Sequence, residues 1–319
     1  MRKIEMRELE KVMTDFLLHC RVEKNLSSHT LKAYQLDLNQ FFTYLSVKGK
    51  VMDMKKIDKQ ILRDYLQQLQ ETNKVKTVKR KIATLKALFT YLEFEDRIEV
   101  SPFRKMRIKI KEPLQLPGVL TLNEIKTLFR TVYKVRRACS DSTIYTYKSI
   151  VRDIVVLELL FATGIRVSEL CNLKKVDVNI EQKYIQVNGK GSRERMIQVC
   201  SQEIIDVIDE YMELFHSPGG NFSYFFVNRL GHRLSEQSVR FMIKKYTRLS
   251  NINKEVTPHM FRHTFATLLL EEEVDIRYIQ QLLGHSTITT TQIYTHITQH
   301  KQKEILSTRH PRGSFKVVE

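Results

Sequence analysis

The chain has 319 residues, and its 53 Lys and Arg residues outnumber its 36 Asp and Glu residues, which gives a formal charge of +17. This length suggests about two domains, and the charge favours a polyanionic partner over a merely basic protein or a membrane surface, since no segment pairs a long apolar face with a basic one. The start lacks a signal peptide, no apolar run could span a bilayer, and the four cysteines lack metal-ligand spacing, so we expect a cytoplasmic chain with reduced thiols.

Apolar residues at helical spacing predict four helices in the first hundred residues, over about 8–22, over about 30–44, after Asp58 and over about 77–94. Five cations lie around the start and outer side of the fourth helix: Lys76, Lys79, Arg80, Lys81 and Lys86. A basic helix face is usually only solvated, but five cations without an acid among them favour a surface that faces phosphate groups. We therefore predict a helical N-terminal domain over residues 1–103, with these five side chains as candidate DNA contacts.

Ser101-Pro102 ends the helical pattern, and the cations and prolines that follow predict an extended basic linker over residues 104–118. A capping box from Thr121 to Glu124 opens a second domain over residues 119–296, in which the polar segment 132–149 is predicted to be a loop or an irregular helix end. Short alternating segments at 176–180, 183–187 and 195–199 predict a small antiparallel sheet, with a hairpin turn at 189–192.

Helices return after Ser235, with one start at Thr257-Pro258 and a further helix from Asp275 that ends at Gly284. The first of these places His259 and Arg262 next to each other, three residues apart, where free N–H groups and the helix dipole favour an anion. A guanidinium can hold two phosphate oxygens in a fork. Incidental cations at a surface helix start are the alternative, and His263, which points off this face, is interpreted as structural.

Four further residues carry chemistry that a phosphate site could use. Arg166 follows a glycine that breaks an apolar helix, and His285 follows the glycine that ends a predicted helix. Lys190 is predicted to lie in the hairpin turn, and Tyr294, nine residues after His285, is predicted to lie on a short helix. Each has a plainer alternative: a salt bridge with Glu169 for Arg166, a solvated turn for Lys190, a cation at a helix end for His285 and a half-buried aromatic for Tyr294.

In this order, the motifs resemble those of the tyrosine recombinase family of the lambda-integrase (phage integrase) type, and within it the Xer-like branch. The matching segments are 162–170, 189–191, 259–267, 283–286 and 291–296, and residues 25–34 resemble the family's core-binding domain, so nearly the whole chain is covered. The resemblance implies a mainly α fold with a small antiparallel β-sheet in the C-terminal domain. It also implies a two-domain DNA clamp, with a SAM-like core-binding domain and an α+β catalytic domain.

The resemblance implies site-specific recombination that proceeds without metal or cofactor. The implied catalytic residues are Arg166, Lys190, His259, Arg262, His285 and Tyr294. Tyr294 would attack the scissile phosphate and form a 3′-phosphotyrosine, the two arginines and His285 would bind the developing negative charge, and Lys190 would protonate the leaving 5′-hydroxyl. His259 would assist proton transfer or support the arginines.

By the same resemblance, strands are exchanged through a Holliday junction on double-stranded DNA at a specific core site, for integration, excision or dimer resolution. This needs four protomers on two duplexes, either a homotetramer or a heterotetramer with a related recombinase. The tail 297–319, with Ile305 and Leu306 as its apolar anchor, is predicted to dock on a neighbouring protomer, and a solvated terminus is the alternative. A type IB topoisomerase-like enzyme and a non-catalytic DNA-binding module are the competing functions.

Overall fold

The computed structural model describes residues 2–47, 53–111, 118–139, 144–189, 194–199, 201–216 and 222–284. The chain divides into two compact units, Met1–Leu114 and Gln115–Glu319. Their described parts contain eleven α-helices and one three-stranded antiparallel sheet, so the predicted fold class is confirmed. Among these described helices, none combines the length and the apolar character that crossing a bilayer requires.

The described part of the first unit is built from four helices: α1 (Arg2–Val22), α2 (Ser28–Val47), α3 (Lys59–Thr72) and α4 (Val75–Phe94). All four were predicted, and capping side chains explain two of their starts. The Ser27 hydroxyl accepts from the Thr30 N–H at 3.3 Å, and the Asp58 carboxylate accepts from the Ile61 N–H at 2.9 Å. The apolar faces of the helices meet in one core that buries Phe16, among others.

The first described part of the predicted linker lies along the first unit. Met106, Ile108 and Ile110 pack against its core, while the intervening basic residues are exposed. Arg104 Nε lies 2.8 Å from the Glu93 carboxylate on α4. Because apolar and basic residues alternate, the apolar side chains face the first unit and the basic ones face outward. The packing and the ion pair together hold the segment against the first unit as far as Lys111.

The second unit surrounds a helix that is apolar on nearly all sides. Its helices are α5 (Leu122–Arg137), α6 (Ile144–Thr163), α7 (Val167–Asn172), α8 (Gln202–Phe215), α9 (Glu236–Leu249), α10 (Pro258–Glu271) and α11 (Ile276–Leu283). On α6, Val151 and all four residues from 154 to 157 are completely buried. This burial identifies α6 as the central helix of the core. The capping box at Thr121 is confirmed, since Thr121 and Glu124 accept hydrogen bonds from each other's backbone N–H.

The sheet consists of β1 (Val178–Asn179), β2 (Tyr184–Asn188) and β3 (Glu194–Gln198), in that order. The three predicted strands are confirmed with slightly different bounds. In the β2–β3 pair, Ile185 lies opposite Ile197 and Val187 lies opposite Arg195. Because Ile185, Val187 and Ile197 are buried, this register also directs Arg195 towards the interior of the unit.

The prediction of a loop or an irregular helix end over residues 132–149 is wrong for most of this stretch, because α5 continues to Arg137 and α6 already begins at Ile144; residues 140–143 lie outside the described residues. The polar residues of this stretch have partners on other helices. Arg136 Nη2 and the Tyr147 hydroxyl both bind the Glu210 carboxylate, at 2.5 and 2.6 Å, and the Tyr133 hydroxyl donates to Glu158 at 2.9 Å. Polar side chains in this stretch are thus held by partners far away in the sequence. They interrupt the apolar periodicity that would have indicated a helix.

Candidate active site

Helix α10 supports the His-x-x-Arg motif through its first turn. The Thr257 hydroxyl accepts from the Met260 N–H at 3.4 Å and Pro258 follows at the first helical position, as predicted. Arg262 is only 4% exposed. Its Nη1 donates to the Gly164 carbonyl at 2.7 Å and its Nη2 to the Leu283 carbonyl at 2.6 Å. The backbone therefore holds this guanidinium in a fixed plane.

Gly164, at the corner between α6 and α7, makes this arrangement possible. Its φ is +58°, in the left-handed region that favours glycine. A Cβ atom built there would lie 2.6 Å from the Phe265 ring and 2.9 Å from Leu283. A glycine at this corner thus lets the chain pass between those side chains and present its carbonyl to Arg262.

Arg166 lies two residues later and is brought to the same place. Its Nη1 donates to Glu169 Oε1 at 2.7 Å, so the salt bridge considered as the alternative is present. The same guanidinium lies 3.5 Å from the Leu283 carbonyl and 3.3 Å from the Gly284 carbonyl. Because Arg166 and Arg262 share the Leu283 oxygen as an acceptor, the structure brings the two predicted arginines together at the C-terminal end of α11.

His259 is exposed, and it is near enough to both arginines for their charges to act on its imidazole. Partial desolvation, followed by the charges of Arg262, Arg240 and Arg166, lowers its pKa below the ordinary value of 6.5. The imidazole is therefore neutral at neutral pH and able to accept a proton. Arg240, on α9, was not among the predicted site residues. For His263, burial and then the neighbouring His259 and Arg262 lower the pKa to about 4, in keeping with a structural role.

Arg195 is a second site residue that the sequence interpretation missed. Its Nε donates to the Leu282 carbonyl at 2.9 Å, and its Nη2 and Nη1 contact the two Glu169 oxygens at 2.7 and 3.3 Å. A signal was available in the sequence, because strand alternation places Arg195 on the same face as Ile197 and Val199. A charged side chain at such an inward position needs a partner.

Three of the six predicted catalytic residues, Lys190, His285 and Tyr294, lie outside the described residues, as does the predicted tail 297–319. The residues directly before Lys190 and His285 are described, whereas the neighbours of Tyr294 lie outside the described residues as well. Strands β2 and β3 flank the segment of Lys190, and α11 ends at Gly284, as predicted, directly before His285.

The predicted basic face of α4 needs one correction. Lys81 is only 4% exposed, and its ammonium group lies 3.3 Å from the Asp37 carboxylate and also contacts Gln40. Arg80 pairs with the same carboxylate. Lys81 therefore balances a buried acid and is not an exposed cation, because an unpaired buried Asp37 would be costly. Lys76, Lys79 and Lys86 are exposed, as predicted.

Comparisons with known proteins agree with these motifs. The phage integrase family matches residues 119–301, and the phage integrase N-terminal SAM-like domain matches residues 13–96. A tyrosine recombinase of Agathobacter rectalis is 44% identical over 97% of this chain and 99% of its own length. Tyrosine recombinase XerC of Thermodesulfovibrio yellowstonii is 34% identical over 94% of this chain and 96% of its own length. Tyrosine recombinase XerD of Listeria monocytogenes is 34% identical over 96% of this chain and 100% of its own length.

Solved structures share the fold. XerH site-specific recombinase bound to a palindromic difH substrate, in a post-cleavage complex, is similar with a TM-score of 0.75 and 23% identity, over 93% of this chain and 84% of that chain. A lambda integrase (75–356) dimer bound to a COC′ core site is similar with a TM-score of 0.67 and 18% identity, over 89% of this chain and 94% of that chain.

Proposed function

Because the chain belongs to the phage integrase family and is a site-specific tyrosine recombinase of the Xer-like branch, we propose that Tyr294 is its nucleophile. The enzyme cleaves and rejoins DNA, and relatives that are 34–44% identical over nearly the whole chain carry recombinase names, so a topoisomerase-like activity is not favoured. We assign the other catalytic roles to Arg166, Lys190, His259, Arg262 and His285, within a catalytic domain over residues 119–296.

The observation that supports this site is the convergence of Arg166 and Arg262 on the Leu283 carbonyl. Attack on a phosphodiester places extra negative charge on the non-bridging oxygens. Guanidinium groups that are already fixed stabilise this charge without reorganising at the moment of reaction. His285 follows the same helix end in sequence and is proposed as a further donor.

The proposed chemistry is a pair of phosphoryl transfers. The phenolic oxygen of Tyr294 forms a bond to phosphorus while the bond to the 5′-oxygen breaks. Neutral His259 is suited to accept the phenol proton, and Lys190 protonates the departing 5′-oxygen. In the second transfer, a 5′-hydroxyl of the partner duplex attacks the phosphotyrosine, reseals the strand and releases Tyr294. We propose that neither metal nor cofactor takes part.

The partner that we propose is double-stranded DNA at a specific core site, since XerH of similar fold was solved on a palindromic difH substrate and lambda integrase on a COC′ core site. Residues 1–103 would act as the core-binding domain, and residues 104–118 would form the basic linker that follows it. The enzyme would act in the cytoplasm. A homotetramer, or a heterotetramer with a related recombinase, would carry out the exchange through a Holliday junction, and the tail 297–319 would dock on a neighbouring protomer.

The test is covalent capture of DNA. Purified full-length protein is incubated, in the presence of a metal chelator, with a library of short duplexes that have a randomised core and a nick that lets the cleaved end diffuse away. We expect a protein–DNA adduct that survives denaturation and is lost in Tyr294→Phe, while binding of intact duplex persists. Tyr278→Phe, which changes an exposed tyrosine on α11, serves as the control and keeps the adduct. An adduct that persists in Tyr294→Phe, or that requires added magnesium, would refute the proposal.

A further inference from the structure

The Glu169 carboxylate lies between two arginines and uses both of its oxygens. Oε1 accepts from Arg166 Nη1 at 2.7 Å and from Arg195 Nη1 at 3.3 Å. Oε2 accepts from Arg195 Nη2 at 2.7 Å and from the Arg166 backbone N–H at 3.0 Å. The Glu169 side chain is 7% exposed and that of Arg195 is 12%, whereas that of Arg166 is 34%. Of the two arginines, Arg166 therefore has the greater access to a ligand.

Arg195 also reaches the helix end on which the catalytic arginines converge. Its Nε donates to the Leu282 carbonyl, and its guanidinium lies beside Gly284, so that a Cβ atom built on Gly284 would be 3.0 Å from Arg195 Nη1. The next two carbonyls, of Leu283 and Gly284, accept from Arg262 and Arg166. Arg195 thus binds both Glu169, the acid beside Arg166, and the C-terminal end of α11. At this helix end the helix dipole favours cations.

The charges around Glu169 give Arg195 a specific role. Glu169 and Arg166 alone would form a neutral pair, in which a buried carboxylate competes with a phosphate for the same guanidinium. Burial by itself would raise the pKa of Glu169, but hydrogen bonds from Arg195 and then Arg166 outweigh it and lower the pKa, so the acid stays charged. A second guanidinium is therefore needed to balance it.

We infer that Arg195 is a positioning residue for strand cleavage, which balances the charge of Glu169 and thereby leaves Arg166 oriented, with its positive charge uncompensated, for the scissile phosphate. The inference rests on the proposed function, in which Arg166 binds that phosphate. With Arg195 present, Glu169 orients the Arg166 guanidinium. Without Arg195, the unbalanced Glu169 carboxylate competes with the scissile phosphate for that guanidinium. The effect falls on the chemical step, because ground-state DNA binding draws on cations over the whole protein.

The experiment is a double-mutant cycle on the full-length protein with a nicked duplex taken from the capture experiment. Arg195→Met keeps an apolar stem beside Gly284 and removes the charge and the donors. We expect it to lower the single-turnover cleavage rate by roughly 10–100-fold, the range found when groups that orient a functional site are removed, with DNA affinity changed by less than about threefold. Adding Glu169→Gln removes the unbalanced charge. The double variant should cleave at least about tenfold faster than Arg195→Met. Arg130→Ala, on an exposed part of α5, is the matched control with wild-type cleavage.

The outcomes separate the inference from simpler explanations. Wild-type cleavage in Arg195→Met overturns it, and so does a double variant no faster than Arg195→Met, since a purely structural tie would not be repaired by a second substitution. Arg195→Lys, which keeps the charge, provides a second test, and it should cleave faster than Arg195→Met. Absence of any adduct with the wild-type protein would instead refute the proposed function.

Discussion

Glu158, on the central helix α6, is a largely buried acid whose ionisation falls near neutral pH. Burial raises its pKa from 4.5 to about 7, although a hydrogen bond from the Tyr133 hydroxyl opposes the shift and nearby Glu203 adds to it. Burial also raises the pKa of Tyr133, so its hydroxyl remains a donor. The folded protein consequently holds a proton on Glu158 at pH values where the unfolded chain has already released it.

This proton makes stability depend on pH in a defined direction. Between about pH 4.5 and 7 the folded state binds more protons, so the free energy of unfolding falls as the pH rises through this window. Glu158→Gln keeps an oxygen acceptor for Tyr133 and has no charge to bury. We expect it to be more stable than wild type at pH 8, by at most about 3 kcal/mol, and by less than about 1 kcal/mol at pH 5. Urea unfolding at both pH values measures this, with exposed Glu213→Gln as control. An equal gain at the two pH values would contradict the explanation.

Single residues also show what sequence reasoning could reach. Arg166, His259 and Arg262 were predicted because their motifs are local, and the structure brings them together. The burial of Lys81 and the site contacts of Arg195 were missed, because their acidic partners, Asp37 and Glu169, lie 44 and 26 residues away in the chain. A sequence shows that a residue is charged, but only the fold determines which charge it meets.

Both the stability of the fold and the position of Arg262 depend on the corner between α6 and α7. Gly164→Ala forces an alanine into a left-handed conformation and places its Cβ against Phe265 and Leu283. We expect a loss of roughly 3 kcal/mol in the free energy of unfolding. Since the Gly164 carbonyl accepts from Arg262, cleavage should slow by about tenfold or more, measured with the nicked duplex well below the melting temperature.

A second glycine provides the matched control for this corner. Gly231 also has a positive φ, of +75°, and a Cβ there would meet the Phe222 ring at 2.5 Å. It lies in a turn in which its N–H donates to the Asn228 carbonyl at 3.1 Å, and the side chain that its Cβ would meet is a phenylalanine and not an arginine of the site. Gly231→Ala should therefore lose stability but keep its cleavage rate. Equal loss of cleavage in both variants would show that strain alone, and not the Arg262 acceptor, limits the reaction.

Whole elements were predictable where caps and apolar periodicity agree. The starts of α3, α5, α9 and α10 follow from side chains that cap them, and all three strands follow from alternation. Helix α8 was not predicted, and the N-cap residue before it, Ser201, makes no side-chain capping bond. The ends of α5 and α6 were misinterpreted because their polar residues are paired with α8 and with each other. Tertiary partners decide the structure of such segments.

Across the whole molecule, the positive charge is concentrated in the first unit. Residues 1–114 contain 25 basic and 15 acidic residues, a charge of +10, and residues 115–319 contain 28 and 21, a charge of +7. Part of this excess borders one groove of about 410 Å³ on the first unit, lined by Lys79 and Lys86 of α4 together with Lys109 and Lys111. Two separate stretches of chain thus bring four lysines around one concave surface that suits a phosphate backbone.

The salt dependence of DNA binding tests whether this groove contacts DNA. Each phosphate contact releases condensed counterions, so the logarithm of the binding constant falls with the logarithm of salt concentration by about 0.9 per contact. Replacing Lys79 and Lys86 together by alanine should reduce this slope by about 2. Lys55→Ala with Lys56→Ala removes the same charge from an exposed 3₁₀ turn of the same unit and serves as the control. If both double variants reduced the slope equally, net charge alone would explain the binding, whereas a loss confined to the α4 pair means that those two lysines contact phosphates directly.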